Sequence, residues 1–174
     1  MINTLGIIMT AKPILEKDML VELFTKDIGR VRVFAKYAQS KKPRFGGQLN
    51  TLNELNVTLF EKGDVFYLGD VSIQEQFKGI KTSFKRMHVA FQFLHVVRSI
   101  TQLNHENQPV YTALHHYLKA LEALDHDELM RYKLQFYHHI LQIEGIITGG
   151  TKFNEKDAIK MIESYASIQL KDVL

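Results

Sequence analysis

The sequence predicts an α+β chain: a small five-stranded β-barrel followed by a helical domain. Three observations lead there. Up to about Gln76 the apolar residues alternate and turn residues recur. From Phe77 onward the apolar spacing becomes three and four, the period of a helix rather than a strand. The 174 residues are 45% apolar and 24% charged, the make-up of a folded chain long enough for two small domains. The expected division is a barrel over residues 1–76 and a helical domain over 77–174.

Leu5-Gly6-Ile7-Ile8-Met9-Thr10 is a short apolar run suited to a buried strand, ended by Pro13. Met19 to Thr25 makes a second strand. Lys26-Asp27-Ile28-Gly29 reads as a tight hairpin connection with Gly29 in the left-handed position. The third strand is Arg30 to Lys36, with Val31, Val33 and Ala35 on one face and Arg30, Arg32, Phe34 and Lys36 on the other. Tyr37 to Gly47, rich in Lys, Ser, Pro and Gly, reads as a loop. Leu55, Val57 and Leu59 alternate in a fourth strand, Lys62-Gly63-Asp64 turns it, and Val65 to Ile73 makes a fifth. Closing five short strands into a barrel removes exposed edges; an open sheet covered by helices is the rival arrangement.

Four helices are expected beyond. Met87, Ala90, Phe91, Leu94 and Val97 form the first stripe. Asn107 caps the second, with Pro109 in its first turn and Val110, Leu114, Tyr117, Leu121 and Leu124 on its buried face. Asp125 or Asp127 starts the third, which carries Leu129, Phe136, Ile140 and Ile143 and stops at Gly145. Asn154 caps the fourth, with Glu155 and Asp157 in its first turn and Met161, Ile162, Tyr165 and Ile168 as its stripe.

Cysteine is absent, which excludes disulfides, thiolate zinc sites and cysteine nucleophiles. No apolar run reaches the roughly 18 residues of a spanning helix. The start, Met1-Ile2-Asn3-Thr4, lacks the basic end of a signal peptide, so a cytoplasmic protein without membrane partners is expected. The net charge of +3 is mild, so any nucleic-acid surface must come from where the charges sit.

They sit in one window. From Ile28 to Asn53 there are six cations, Arg30, Arg32, Lys36, Lys41, Lys42 and Arg44, and no Asp or Glu. Phe34, Tyr37 and Phe45 lie among them. A single strand of nucleic acid needs cations for its phosphates and flat rings for its bases, and stacking contributes on the order of 1–3 kcal/mol per base. The plainer explanation is a solvated strand face followed by a solvated loop. Phe34 fits that poorly, since an exposed Phe gains nothing from the core; it either stacks on a base or packs under the helical domain.

Other chemistries have less support. His115-His116 and His138-His139 fall on helices, where adjacent rings point about 100° apart, and neither an i, i+4 pair nor an HExxH spacing accompanies them. Folding is therefore expected not to depend on a metal. No serine stands in a Gly-x-Ser-x-Gly setting, and Gly46-Gly47 and Gly149-Gly150 are doublets outside any phosphate-loop pattern. No enzyme activity and no cofactor are expected.

Phe24-Thr25-Lys26-Asp27-Ile28-Gly29-Arg30-Val31-Arg32-Val33-Phe34-Ala35-Lys36, then Lys41-Lys42-Pro43-Arg44-Phe45-Gly46-Gly47 and Leu49, resembles the RecO family of bacterial recombination mediators. Gly6-Ile7-Ile8 and Glu16-Lys17-Asp18 are similar too, and Leu134-Gln135-Phe136 to Gly145 resembles the family's helix ending in Gly. The departures are Tyr37, where the family often has Gly, and the region of Pro43, where it often has Ser. A four-cysteine zinc module that many members carry after the Gly145 equivalent is missing here: Ile146-Ile147-Thr148-Gly149-Gly150 runs straight into the last helix. The resemblance implies an oligonucleotide/oligosaccharide-binding (OB) barrel with a helical domain behind it. It implies binding of single- and double-stranded DNA, annealing of complementary strands, and, with RecR, help in loading recombinase onto DNA coated by single-strand-binding protein. It implies a nucleoid-associated protein that hydrolyses no nucleotide. Two other readings of the residues stand beside it: a barrel used on RNA, and an adaptor whose helical stripes dock a protein.

Overall fold

A computed structural model describes residues 1–14, 16–42, 44–63 and 65–171. Pro43, Asp64 of the expected turn and the side chain of Ile168 lie outside the described residues.

Five strands form a closed barrel: β1 (Ile2–Pro13), β2 (Met19–Thr25), β3 (Gly29–Ala35), β4 (Glu54–Lys62) and β5 (Val65–Glu75), in the order β1-β2-β3-β5-β4. β4 closes back on β1, and β3 meets β5 in parallel at Val33↔Phe66 and Phe34↔Tyr67. This is the OB arrangement, and it settles the barrel against the open sheet. β2 spans the expected residues, and β1 starts earlier, at Ile2. A bulge between Ile8 and Thr10 lets β1 serve both β4 and β2.

The alternation in β3 has the expected consequence: Val31, Val33 and Ala35 are fully buried. They pack with Ile8, Val21, Leu23, Leu55, Val57, Leu59 and Leu68 in the barrel core. In the β2–β3 turn Gly29 has φ 71°. A Cβ there would run into the carbonyl of His105, so the position excludes every side chain. The Thr25 hydroxyl staples the turn, donating to the Gly29 carbonyl at 2.7 Å and accepting from the Ile28 N–H at 3.3 Å.

The barrel unit comprises Met1–Phe77 together with Gln102–Tyr111, whereas the sequence division was a single cut at 76/77. Leu103 bridges in parallel to Arg30, and the Asn104 N–H donates to the Arg30 carbonyl at 2.7 Å. Tyr111 is buried against Phe24, with ring centroids 5.8 Å apart, and its hydroxyl donates to the buried Glu54 carboxylate at 2.6 Å. Residues 102–106 carry neither a strand nor a helix period, and residues 107–111 read as the start of a helix, so nothing in the pattern assigns the segment to the barrel.

The second unit holds Lys78–Thr101 and the residues from Thr112 on. Its helices are α1 (Lys78–Lys81), α2 (Phe84–Ile100), α3 (Gln108–Leu121, whose first turn belongs to the barrel unit), α4 (Leu129–Ile143) and α5 (Glu155–Lys171). Asn107 caps α3 through the Val110 N–H at 3.2 Å, and Asn154 caps α5 through the Asp157 N–H at 3.0 Å. Asp125 makes no side-chain cap: a short 3-10 turn, His126–Glu128, precedes α4 instead. On α2 the expected Ala90, Leu94 and Val97 are buried, but the buried face is wider and centred away from Met87 and Phe91. Val89, Ala90, Phe93, Leu94, Val96, Val97 and Ile100 are buried, Met87 is half-buried and Phe91 is exposed. Leu124 lies beyond the end of α3, and among the described side chains of α5 Ala158 and Ile162 are buried. Phe93 stacks on Phe136 with centroids 3.9 Å apart, and Tyr117 meets both rings. No described helix is long and apolar enough to cross a membrane.

Candidate nucleic-acid interface

The outward face of β3 carries Arg30, Arg32 and Phe34, followed by Lys36 just past its end. The register Thr25↔Gly29 also pairs Glu22 with Arg32. The Glu22 carboxylate, 4% exposed, lies 3.3 Å from Arg30 Nη1 and 3.5 Å from Arg32 Nε. The window without acids in sequence is therefore not without them in space. Arg30 is largely buried in this pair, while Arg32 keeps an exposed side chain. The hairpin register alone carries this signal: counting back from the turn places Glu22 opposite Arg32.

Lys36, Lys41, Lys42 and Arg44 are exposed. Tyr37 is 58% exposed and has φ 60°. Its N–H donates to Asp18 at 2.8 Å and its carbonyl accepts from the Ser40 hydroxyl at 3.0 Å, contacts that hold the start of the loop. Phe45 is a correction. It is 3% exposed and belongs to the barrel core with Leu49, because the loop folds its one large apolar side chain inward. The Arg44 guanidinium lies 5.3 Å from the Phe45 centroid.

The ring surface lies elsewhere. Phe34 is half-buried and meets Tyr67 of β5 at 5.9 Å between centroids. Tyr67 is the register partner of both Phe34 and Phe60 of β4, so three aromatic residues cross three adjacent strands in one row. The Lys36 ammonium stands 5.0 Å from the Tyr67 centroid, a cation–π contact. Phe60 is 46% exposed. Around it opens a groove of about 480 Å³ lined by Lys36, Arg44, Lys62, Tyr67 and Gly69, with Glu61 as the lining carboxylate. Phe60, Lys62 and Tyr67 were not singled out from the sequence. They lie outside the basic window, and the parallel closure of β3 onto β5 brings them to it.

The histidine doublets sit on α3 and α4. His116 and His139 contact Tyr117, and His138 stacks on Phe153 with centroids 5.5 Å apart. Among the described residues no three His, Asp or Glu side chains converge.

Residues 1–77 match the family described as "Recombination protein O N terminal". The chain is 26% identical to a DNA repair protein RecO from a Thermoanaerobacter species over 162 residues, 90% of this chain and 65% of that one. It is 26% identical to the protein of that name from Caldanaerobacter subterraneus, covering 71% of this chain and 50% of the relative. The counterpart from Rhodopirellula baltica is 33% identical over 85 residues, 48% of this chain and 32% of its own. The chain thus spans half to two thirds of the length of the first two. The barrel thus matches the N-terminal model of the RecO family, and the similarity to proteins named DNA repair protein RecO extends through the helices.

Proposed function

We propose that this chain is a DNA-binding recombination mediator in DNA repair, annealing complementary single strands and helping recombinase load onto DNA coated by single-strand-binding protein. One observation carries the proposal: the exposed cations Lys36, Arg44 and Lys62 line one groove with Phe60 and Tyr67, two members of an aromatic row that crosses the OB barrel. Lys36, Lys41, Lys42 and Arg44 hold phosphates, Arg32 contributes its exposed portion, and Arg30 is committed mainly to Glu22. Phe34 and Tyr37 are the ring candidates that remain from the window once Phe45 is assigned to the core. The relatives named DNA repair protein RecO support the DNA assignment. A RecR-type protein and single-strand-binding protein are the proposed partners, and no chemical step is assigned to the chain.

The test is strand annealing with naked strands and with strands pre-coated by the host's single-strand-binding protein. Faster annealing than the spontaneous rate on both is expected. No acceleration on either at low salt would overturn the proposal.

A further inference from the structure

We propose that the groove between Phe60 and Tyr67 is a slot for one unpaired nucleobase, so that the barrel prefers a single strand over a duplex. This rests on the reading of the face as a nucleic-acid surface and names what the groove adds to it.

Phe60 is 46% exposed, so the core does not account for a large ring there. Its position over the strand is nevertheless built. A Cβ at Gly69 would lie 2.5 Å from Phe60 Cε2, so the absent side chain makes the room that the ring occupies beside the β5 backbone. The exposed part of the ring borders the groove. Across it, Tyr67 is braced by Phe34 at 5.9 Å and capped by the Lys36 ammonium at 5.0 Å. Lys36, Arg44 and Lys62 line the same groove, placing positive charge beside the rings for the phosphates flanking a base. Glu61 also lines it; a carboxylate repels phosphate but accepts hydrogen bonds from base amino groups. The groove's roughly 480 Å³ falls within the size of small-ligand clefts, about 300–1,000 Å³. In a duplex each base is already stacked on both faces, so only an unpaired base can enter. A duplex is left with the cations alone.

The experiment measures the affinity of the full chain for an oligothymidine strand, a duplex, and a strand of abasic sites of the same length. Phe60→Ala is expected to weaken oligothymidine binding about ten- to a hundredfold and leave the duplex and abasic strand unchanged. The unmodified chain should bind the abasic strand as weakly as the variant binds oligothymidine. Phe60→Leu keeps an apolar cover on Gly69 without a flat ring and should show the same loss, which guards against a variant that fails to fold. A Phe60→Leu chain with full oligothymidine affinity would overturn the slot. So would a change in self-association with affinity untouched, which would make the ring a contact between copies. The triple variant Lys41→Ala, Lys42→Ala, Arg44→Ala separates this from the underlying reading. If it weakens all three ligands while Phe60→Ala weakens none, the phosphate surface stands and the slot falls. If neither change weakens any ligand, the reading of the face falls with it.

Discussion

Tyr37 sits where a glycine would be at ease. Its φ of 60° costs an ordinary residue about 1–2 kcal/mol, and the backbone contacts to Asp18 and Ser40 hold it there. A ring kept at a left-handed position while 58% exposed calls for a use outside the core. Tyr37→Gly should therefore leave stability unchanged or raise it by up to about 1 kcal/mol, since relief of strain is partly offset by the freer unfolded chain. The same change should weaken single-strand binding. Chemical denaturation checks the first, and a loss of more than about 1 kcal/mol would show that the ring is packed after all. Phe45 makes the opposite case. Buried with Leu49 in the barrel core, Phe45→Ala should cost about 3–5 kcal/mol in stability. A cost near zero in the same assay would return the ring to the surface. The sequence places both aromatics in one basic loop and has no means of telling them apart, because a loop lacks the periodicity that marks a buried face.

At the scale of elements, β2 and β3 are legible because alternation and the turn glycine agree. Met19 to Thr25 is the observed strand, and the buried valines of β3 are the expected ones. α2 is legible as a helix but not in where its buried face is centred. Met87, Phe91 and Leu94 offer one stripe and Val89, Phe93, Val96 and Ile100 another, so the sequence is apolar around most of the helix. Packing decides: Phe93 meets Phe136 and Tyr117, leaving Phe91 exposed. On α4, burial raises the hydroxyl of Tyr137 to about 12, with the Glu155 carboxylate adding to it. Burial likewise raises Tyr132 to about 12, with Tyr117 contributing. A tyrosine whose folded-state pKa is raised favours folding fully below its unfolded value of about 10, and that contribution is lost as pH rises from there toward 12. Melting curves between pH 9 and 12 should show a falling transition temperature that Tyr137→Phe makes less steep. An identical slope in the variant would remove Tyr137 from the account.

At the scale of the molecule, the fold class is legible and the proposed binding face only partly so. A switch of period near residue 76 announces barrel then helices. No local pattern announces that Gln102–Tyr111 rejoins the barrel unit, or that β5 runs parallel beside β3. That pairing carries Tyr67 and Phe60 to the basic window, and the β2–β3 register brings Glu22 to neutralise part of it. Contacts between residues far apart in sequence thus both add to and subtract from the site that composition suggests. The electrostatics that remain are countable. Lys36, Lys41, Lys42, Arg44 and Lys62 are exposed, and Arg32 is shared with Glu22.

The most direct test is the salt dependence of single-strand affinity, measured for the full chain and for the Lys41→Ala, Lys42→Ala, Arg44→Ala variant. Each phosphate contact on a single strand contributes about −0.7 to the slope of log K against log salt, so four to six contacts predict a slope of about −3 to −4. The triple variant should bind all sequences more weakly and flatten the slope by about two units. A slope near zero in the unmodified chain, or one that the triple variant leaves unchanged, would contradict the placement of the phosphate backbone on this face of the barrel.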